Sequence, residues 1–255
     1  MKKNIFYLFA HQDDEFGTFI KLEKDTIKNN IFIFYLTSGE SKKKKSKLNS
    51  RRNNESLKVM QKLGIKRKNI FFIGSKHQIL DNKLYLNINF IYDKILVISK
   101  SIGKPDSITT HSWEGGHEDH DACNLIGRKV AKKFKILEKS TQFSLYNAYN
   151  TSLIYFKVFN PIIKNKGEKL FTNLKKRFFY IKLLFVYTSQ IRVWVGLYPF
   201  IIYHYLFKGY NFIERLNSDN LIKKPHLQSL LYEKRNFCTF KKFKSKTKFF
   251  LNDIK

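Results

Sequence analysis

Five consecutive residues, His11-Gln-Asp-Asp-Glu15, put one imidazole and three carboxylates into a single short stretch. At neutral pH these acids repel one another unless positive charge sits among them, and a divalent metal is the most economical source. A second cluster follows about a hundred residues later, in His111-Ser-Trp-Glu-Gly-Gly-His-Glu-Asp-His120. His11 and Asp14 stand three apart on a tight turn, so both can reach one ion, and His120 would complete a set of two histidines and one carboxylate. Three protein ligands leave a fourth position for water, the pattern of a catalytic rather than a structural zinc. Iron or cobalt would suit the same donors. Asp13, beside a ligand but pointing away from it, is then placed as a general base. His117, one helical turn before His120, can meet a substrate from the opposite side and, as imidazolium, stabilise an oxyanion and protonate a leaving group. Glu15 and Asp119 either orient ligand imidazoles or serve as a helix-start acid and a cap. His77 and His226 lack such neighbours and read as surface histidines. An isolated HxxD or HxxH carries little weight, so the reading depends on whether the two clusters meet.

The surrounding elements give a reason for them to meet. Ile5–Ala10 and Ile31–Leu36 are buried strands, Ile70–Ile73 a third and Ser107–Thr110 a fourth. Between them lie helical patterns: Phe16 to Lys28, a segment after Ser50 with Leu57, Met60 and Leu63 that Gly64 ends, and Leu84 to Lys100, closed by Gly103 and Pro105. Ala122, Leu125, Ile126 and Val130 mark a further amphipathic helix. This alternation predicts an α/β, Rossmann-like three-layer sandwich with a mostly parallel sheet, whose ligands gather at the C-terminal ends of the strands. Both clusters follow such ends.

Beyond Tyr149 the pattern changes, which divides the chain into a core, residues 1–150, and an aromatic-rich, mostly helical extension, residues 151–255. Residues 178–207 are dominated by aromatic and branched side chains. Lys182, Arg192 and His204 interrupt them, and the longest stretch without Lys, Arg, Asp or Glu is the fifteen residues Val193–Phe207, short of the ~20 that a span needs. Helices that complete the substrate pocket, or that lie on an anionic membrane surface, are the two expectations. Residues 241–248 read as a basic tail, and Lys42–Lys45 as a solvated loop.

Lys and Arg exceed Asp and Glu by 29. The excess is uneven: residues 1–130 hold 24 basic and 14 acidic residues, and residues 131–255 hold 25 and 6. Such basicity suits nucleic acid, anionic lipid or a phosphorylated ligand, although the abundance of Lys, Asn, Ile and Phe also matches the drift of an AT-rich genome. Cys123 and Cys238 form no CxxC and no framework, pointing to a reducing compartment. Met-Lys-Lys-Asn starts like a signal peptide, but the apolar run after it is too short, so a cytoplasmic protein is expected, with peripheral membrane contact as an extension of that.

Four ordered motifs then carry a resemblance. Ala10-His-Gln-Asp-Asp-Glu15, Thr37-Ser-Gly-Glu40, Arg52-Asn-Asn-Glu55 followed by Leu63-Gly64, and Gly115-Gly-His-Glu-Asp-His120 resemble the PIG-L/LmbE family of zinc-dependent N-acetylglucosamine deacetylases over about residues 4–149. The resemblance implies His11, Asp14 and His120 as zinc ligands, Asp13 as base, His117 as oxyanion or acid residue and Arg52 near the substrate. It departs at Gln12, where the family has proline, and a glutamine would not stiffen the ligand turn as proline does. The implied activity is removal of an N-acetyl group from an N-acetylglucosamine-type conjugate, phosphorylated or lipid-linked if the basic extension contributes. Another amide or carbamoyl hydrolase on the same scaffold, or a nucleic-acid-binding protein with a vestigial metal site, is the alternative.

Overall fold

The computed structural model describes residues 2–42, 47–151, 156–162, 167–216 and 223–252. Its centre is the pair of apolar runs read above as strands: β1 (Asn4–Phe9) and β2 (Asn30–Tyr35), joined by α1 (Phe19–Lys28). Both are buried on both faces, as expected of inner strands of a covered parallel sheet. Next come α2 (Leu48–Lys62), β3 (Ile70–Phe72), α3 (Ile88–Ile102), β4 (Ser107–His111), α4 (Glu118–Lys133) and β5 (Thr141–Phe143). Helix α2 begins at Leu48, so Ser50 lies inside its first turn, while Gly64, with φ of 85°, stops it as the sequence predicts.

After residue 150 the chain returns to the same sheet. Strand β6 (Gly167–Phe171) is followed by helices α5 (Leu174–Leu184), α6 (Ile191–Gly196) and α7 (Tyr198–Tyr203), a π-helical turn at His204–Lys208, β7 (Tyr210–Arg215) and finally α8 (Phe240–Asn252). The strand order is β3-β2-β1-β4-β5-β7-β6. The first five are mutually parallel, whereas β7 runs antiparallel to β5 and to β6. The extension is therefore helical, and also supplies two strands.

The period-2 alternation of strand side chains builds two cores. Tyr7 and Phe9 join Ile33, Tyr35 and Phe143 on one face, together with Tyr180, Leu184, Tyr198, Ile201 and Tyr205 from the extension. Phe6 and Leu8 join Phe34, Ile91 and Leu125 on the other, with Phe243 and Phe250. The segment read as a basic tail is thus a packed helix: Phe243, Thr247 and Phe250, at helical spacing, are no more than 2% exposed, and the lysines of α8 face outward. His226 is likewise buried, its ring 5.3 Å from that of Tyr149, whereas His77 is partly exposed against Phe90. Both cysteines are free and buried. Among the described residues no helix is long and apolar enough to cross a membrane. Of the Lys42–Lys45 run, only Lys42 lies within the described residues.

Candidate metal centre and cleft

Strand order reverses between β1 and β4, and both histidine clusters lie at the C-terminal ends of those two strands, where a doubly wound sheet opens its crevice. β1 ends in a 3-10 turn, Asp14–Gly17. β4 leads through Gly115 and Gly116 to His117, the N-cap of α4. A Cβ on Gly116 would fall 1.9 Å from the Tyr146 carbonyl oxygen, so only glycine lets this loop lie against residues 145–147. Glu114 holds the same junction, accepting from the amides of Leu145 at 2.7 Å and Tyr146 at 3.2 Å and from Asn147 Nδ2 at 3.0 Å. Acids in the first turn of α4, Glu118, Asp119 and Asp121, face the positive end of the helix.

Asp14 is the hub of the cluster. Its Oδ2 lies 3.3 Å from His11 Nδ1 and 3.1 Å from His111 Nε2, and its Oδ1 lies 3.2 Å from His120 Nε2. Burial works to raise the Asp14 pKa, yet the imidazoles of His120, His11 and His111 hold it well below the carboxylate range. Conversely, burial works to lower the His11 pKa, and Asp14 and Asp119 raise it. The turn thus balances its charge with a proton on His11, a proton that metal binding would release.

The donors fit a divalent ion. His11, Asp14 and His120 each offer a ligand atom within 4.8 Å of the others, all buried. His120, fully buried, has no hydrogen bond to either ring nitrogen, although its Nε2 faces Asp14. Two such atoms converging without hydrogen-bond geometry suit a shared cation. A second set, His11, His117 and Asp119, is equally close. Its members have other duties: Asp119 accepts from the amides of Asn82 and Leu84, and His117 Nδ1 accepts from the Asp119 amide at 3.1 Å. Asp119 Oδ2 lies 3.0 Å from His11 Nε2, within hydrogen-bond reach of that ring.

Glu15 supports something else. Its Oε2 accepts from the Asp13 amide at 3.0 Å, and its Oε1 takes hydrogen bonds from Tyr35 at 2.9 Å and from Tyr187. Burial raises its pKa to about 7 against those donors. The amide it holds belongs to a strained residue: Asp13 has φ of 123°, a conformation costing ~1–3 kcal/mol outside glycine. Arg52 fixes the other side, donating from Nη2 to the Gln12 carbonyl at 2.9 Å and to Asp13 Oδ1 at 3.4 Å. Its Nη1 donates to the Gly39 carbonyl at 2.9 Å and to Asp81 Oδ2 at 3.1 Å.

Two sequence expectations change here. Gln12 does stiffen the ligand turn: its buried amide donates to Asn53 Oδ1 at 2.8 Å, the Thr37 carbonyl at 3.2 Å and Ser75 Oγ at 3.4 Å, replacing a ring constraint with a hydrogen-bonded one. His117 is a neutral donor rather than an imidazolium. Burial and the imidazoles of His11 and His120 push its pKa well below the usual value, and the bond to the Asp119 amide leaves its proton on Nε2. His111 and Glu114, named in the second cluster without a role, and Tyr187 also hold the site together. His111 was visible as the polar end of an apolar strand, whereas Tyr187 had no local signal.

A cleft of about 250 Å³ opens on the cluster. His11, Asp13, Asp14, Arg52 and His117 form its floor and near wall, and Gln190, Val193, Leu197, Arg235 and Phe237 bring the extension to its far wall.

Residues 6–131 match the PIG-L family model, described as GlcNAc-PI de-N-acetylase. The chain belongs to the PIG-L/LmbE-like family. Solved structures share its fold across most of the chain. A zinc-inhibited form of teicoplanin deacetylase is 11% identical, covering 82% of this chain and 96% of that one, with a TM-score of 0.61. The A40926 pseudoaglycone deacetylase is 15% identical, covering 85% and 98%, with a TM-score of 0.60. N,N'-diacetylchitobiose deacetylase from Pyrococcus horikoshii is 17% identical, covering 84% and 82%, with a TM-score of 0.53. No curated protein sequence gives a significant match. The shared length extends past the family region, so this PIG-L-like chain has relatives in its C-terminal architecture as well.

Proposed function

We propose that this chain is a metal-dependent N-deacetylase acting on an N-acetylglucosamine-type conjugate, with zinc held by His11, Asp14 and His120. The observation that carries the reading is the strained, buried Asp13 carboxyl poised in the cleft directly beside that donor set. When bound, the ion supplies Lewis acidity, polarising the amide carbonyl and acidifying water.

The chain's own groups then divide the work. Burial and the neighbouring Asp14 raise the Asp13 pKa while Arg52 opposes them, which makes Asp13 a stronger base than a free carboxylate. Asp13 takes a proton from the attacking water as the new C–O bond forms, and His117 Nε2–H donates a hydrogen bond to the oxyanion. The same proton returns from Asp13 to the departing nitrogen as the C–N bond breaks, leaving acetate and a free amine. Arg52, which lines the cleft beside Asp13, is the residue assigned to the sugar. Arg235 is assigned to an anionic substituent such as a phosphate. It is exposed at the far wall, its guanidinium 5.9 Å from the Tyr146 ring centroid and 5.7 Å from that of Phe156.

Acetate release should be measured across N-acetylglucosamine, its phosphate and lipid-linked forms, with metal-loaded and chelator-treated protein. Metal-dependent release, faster for phosphorylated substrates, is the expected result. Turnover that ignores the chelator would overturn the reading, as would carbamoyl substrates being cleaved while acetamides are not.

A further inference from the structure

The helix that walls the cleft on one side is apolar on its outer side as well: Val193 and Leu197 line the cleft, while Val195, two residues from each and so on the opposite side of α6, is 81% exposed. Further along, Phe207 is 70% and Tyr203 57% exposed, their rings 4.9 Å apart. Helix α5 is tied alongside, Arg177 Nη1 donating to the Leu206 carbonyl at 3.0 Å. It presents Phe178 and Phe185, seven residues apart and therefore on one face, each about half exposed. Scattered apolar residues are ordinary on a surface, but a group on adjacent elements marks a contact site.

Charge identifies the occupant. Residues 169–213 contain seven Lys and Arg and no Asp or Glu. Lys175, Lys182, Arg192 and Lys208 are exposed among the aromatic residues. A protein partner would supply apolar area with directional polar contacts, whereas aromatic rings interleaved with cations of one sign match a headgroup layer: rings enter the acyl boundary and ammonium groups stay among phosphates. We propose that this face docks on an anionic phospholipid bilayer. The docking stands on the surface alone and does not rest on the deacetylase reading above.

The test is co-sedimentation of the full chain with phosphatidylcholine vesicles and with mixed phosphatidylcholine–phosphatidylglycerol vesicles, at low and high salt. Wild-type protein should bind the mixed vesicles, less at high salt, and leave the neutral ones. F207S with V195S, and separately K175E with K182E, should lower binding roughly tenfold or more. Both double variants should keep the wild-type melting temperature and acetate release from a soluble N-acetylglucosamine phosphate. Absent binding overturns the docking, as do equal binding of variants and wild type or a dimer that buries this face. Vesicle binding without acetate release from any substrate leaves the docking standing and overturns the deacetylase reading instead.

Discussion

At the ends of β1 and β4, seven carboxylates (Asp13, Asp14, Glu15, Glu114, Glu118, Asp119, Asp121) and four imidazoles (His11, His111, His117, His120) are no more than 9% exposed. Across the cleft, residues 169–213 offer no carboxylate at all. What that second region sends to the acids nearest the cleft is neutral, the Tyr187 hydroxyl to Glu15 and Thr188 Oγ1 and the Ser189 amide to Glu55, both at 2.9 Å, whereas its Lys176 pairs farther out with Glu23 of α1. Buried acids tolerate one another only when each has a donor or a cation, so a wall that added carboxylates would unbalance them, whereas hydroxyls tighten them. On the function proposed above, the core half supplies the reacting groups, and the extension walls the cleft.

The sharpest way to break that division is Asp13→Asn. Acetate release should fall by about 10²–10⁴-fold, while metal content, measured on purified protein, stays at the wild-type level. A fully active variant would remove Asp13 from the mechanism. Gly116→Ala comes next, because its methyl would meet the Tyr146 carbonyl. A loss of roughly 3 kcal/mol in denaturant unfolding is expected, and unchanged stability would mean that this loop is not locked to residues 145–147. Tyr187→Phe tests the link between the regions. Removing one of the donors to Glu15 should cost about 1 kcal/mol and lower kcat without loss of metal; stability loss with kcat intact would make the link purely structural.

The smallest effect concerns pH. Burial pushes the His204 pKa from 6.5 to about 4, with Lys208 adding to the shift, and Nε2 meets the Tyr210 carbonyl at 2.7 Å. Folded His204 is therefore neutral where the unfolded chain takes up a proton. Its contribution is complete above pH 6.5 and is lost as pH falls toward about 4. His204→Gln should flatten that limb of the stability curve relative to wild type; parallel curves would show that other groups produce it.

Much of the core was legible because the physics is local. Runs such as Ile31–Leu36 declare buried strands, and two histidine clusters following strand ends in one parallel sheet had to share an edge. The supporting contacts were not legible, because their partners are far apart in the chain. Tyr187 reaches Glu15 across 172 positions, and Gln12 takes its rigidity from Asn53 and Ser75. Helix α8 was obscured by composition: Thr247, a polar residue, occupies the middle of its buried stripe, and the surrounding lysines dominate the reading. Strands β6 and β7 were hidden for a similar reason, since β6 is a largely exposed edge strand and the inner strand β7 carries Asn211 and Glu214 among its apolar residues.

The return of β7 to the sheet bears on how the molecule is made. All the candidate metal ligands have been synthesised by His120, yet β5 has no neighbour on its outer side until β7 is synthesised, and Glu15 lacks one of its two phenols until Tyr187 appears. For that interval the nascent chain carries a complete donor set beside an open strand edge, the condition most prone to pairing with another chain. Shortening the protein to residues 1–150 would make that interval permanent, giving a product that aggregates rather than a smaller enzyme.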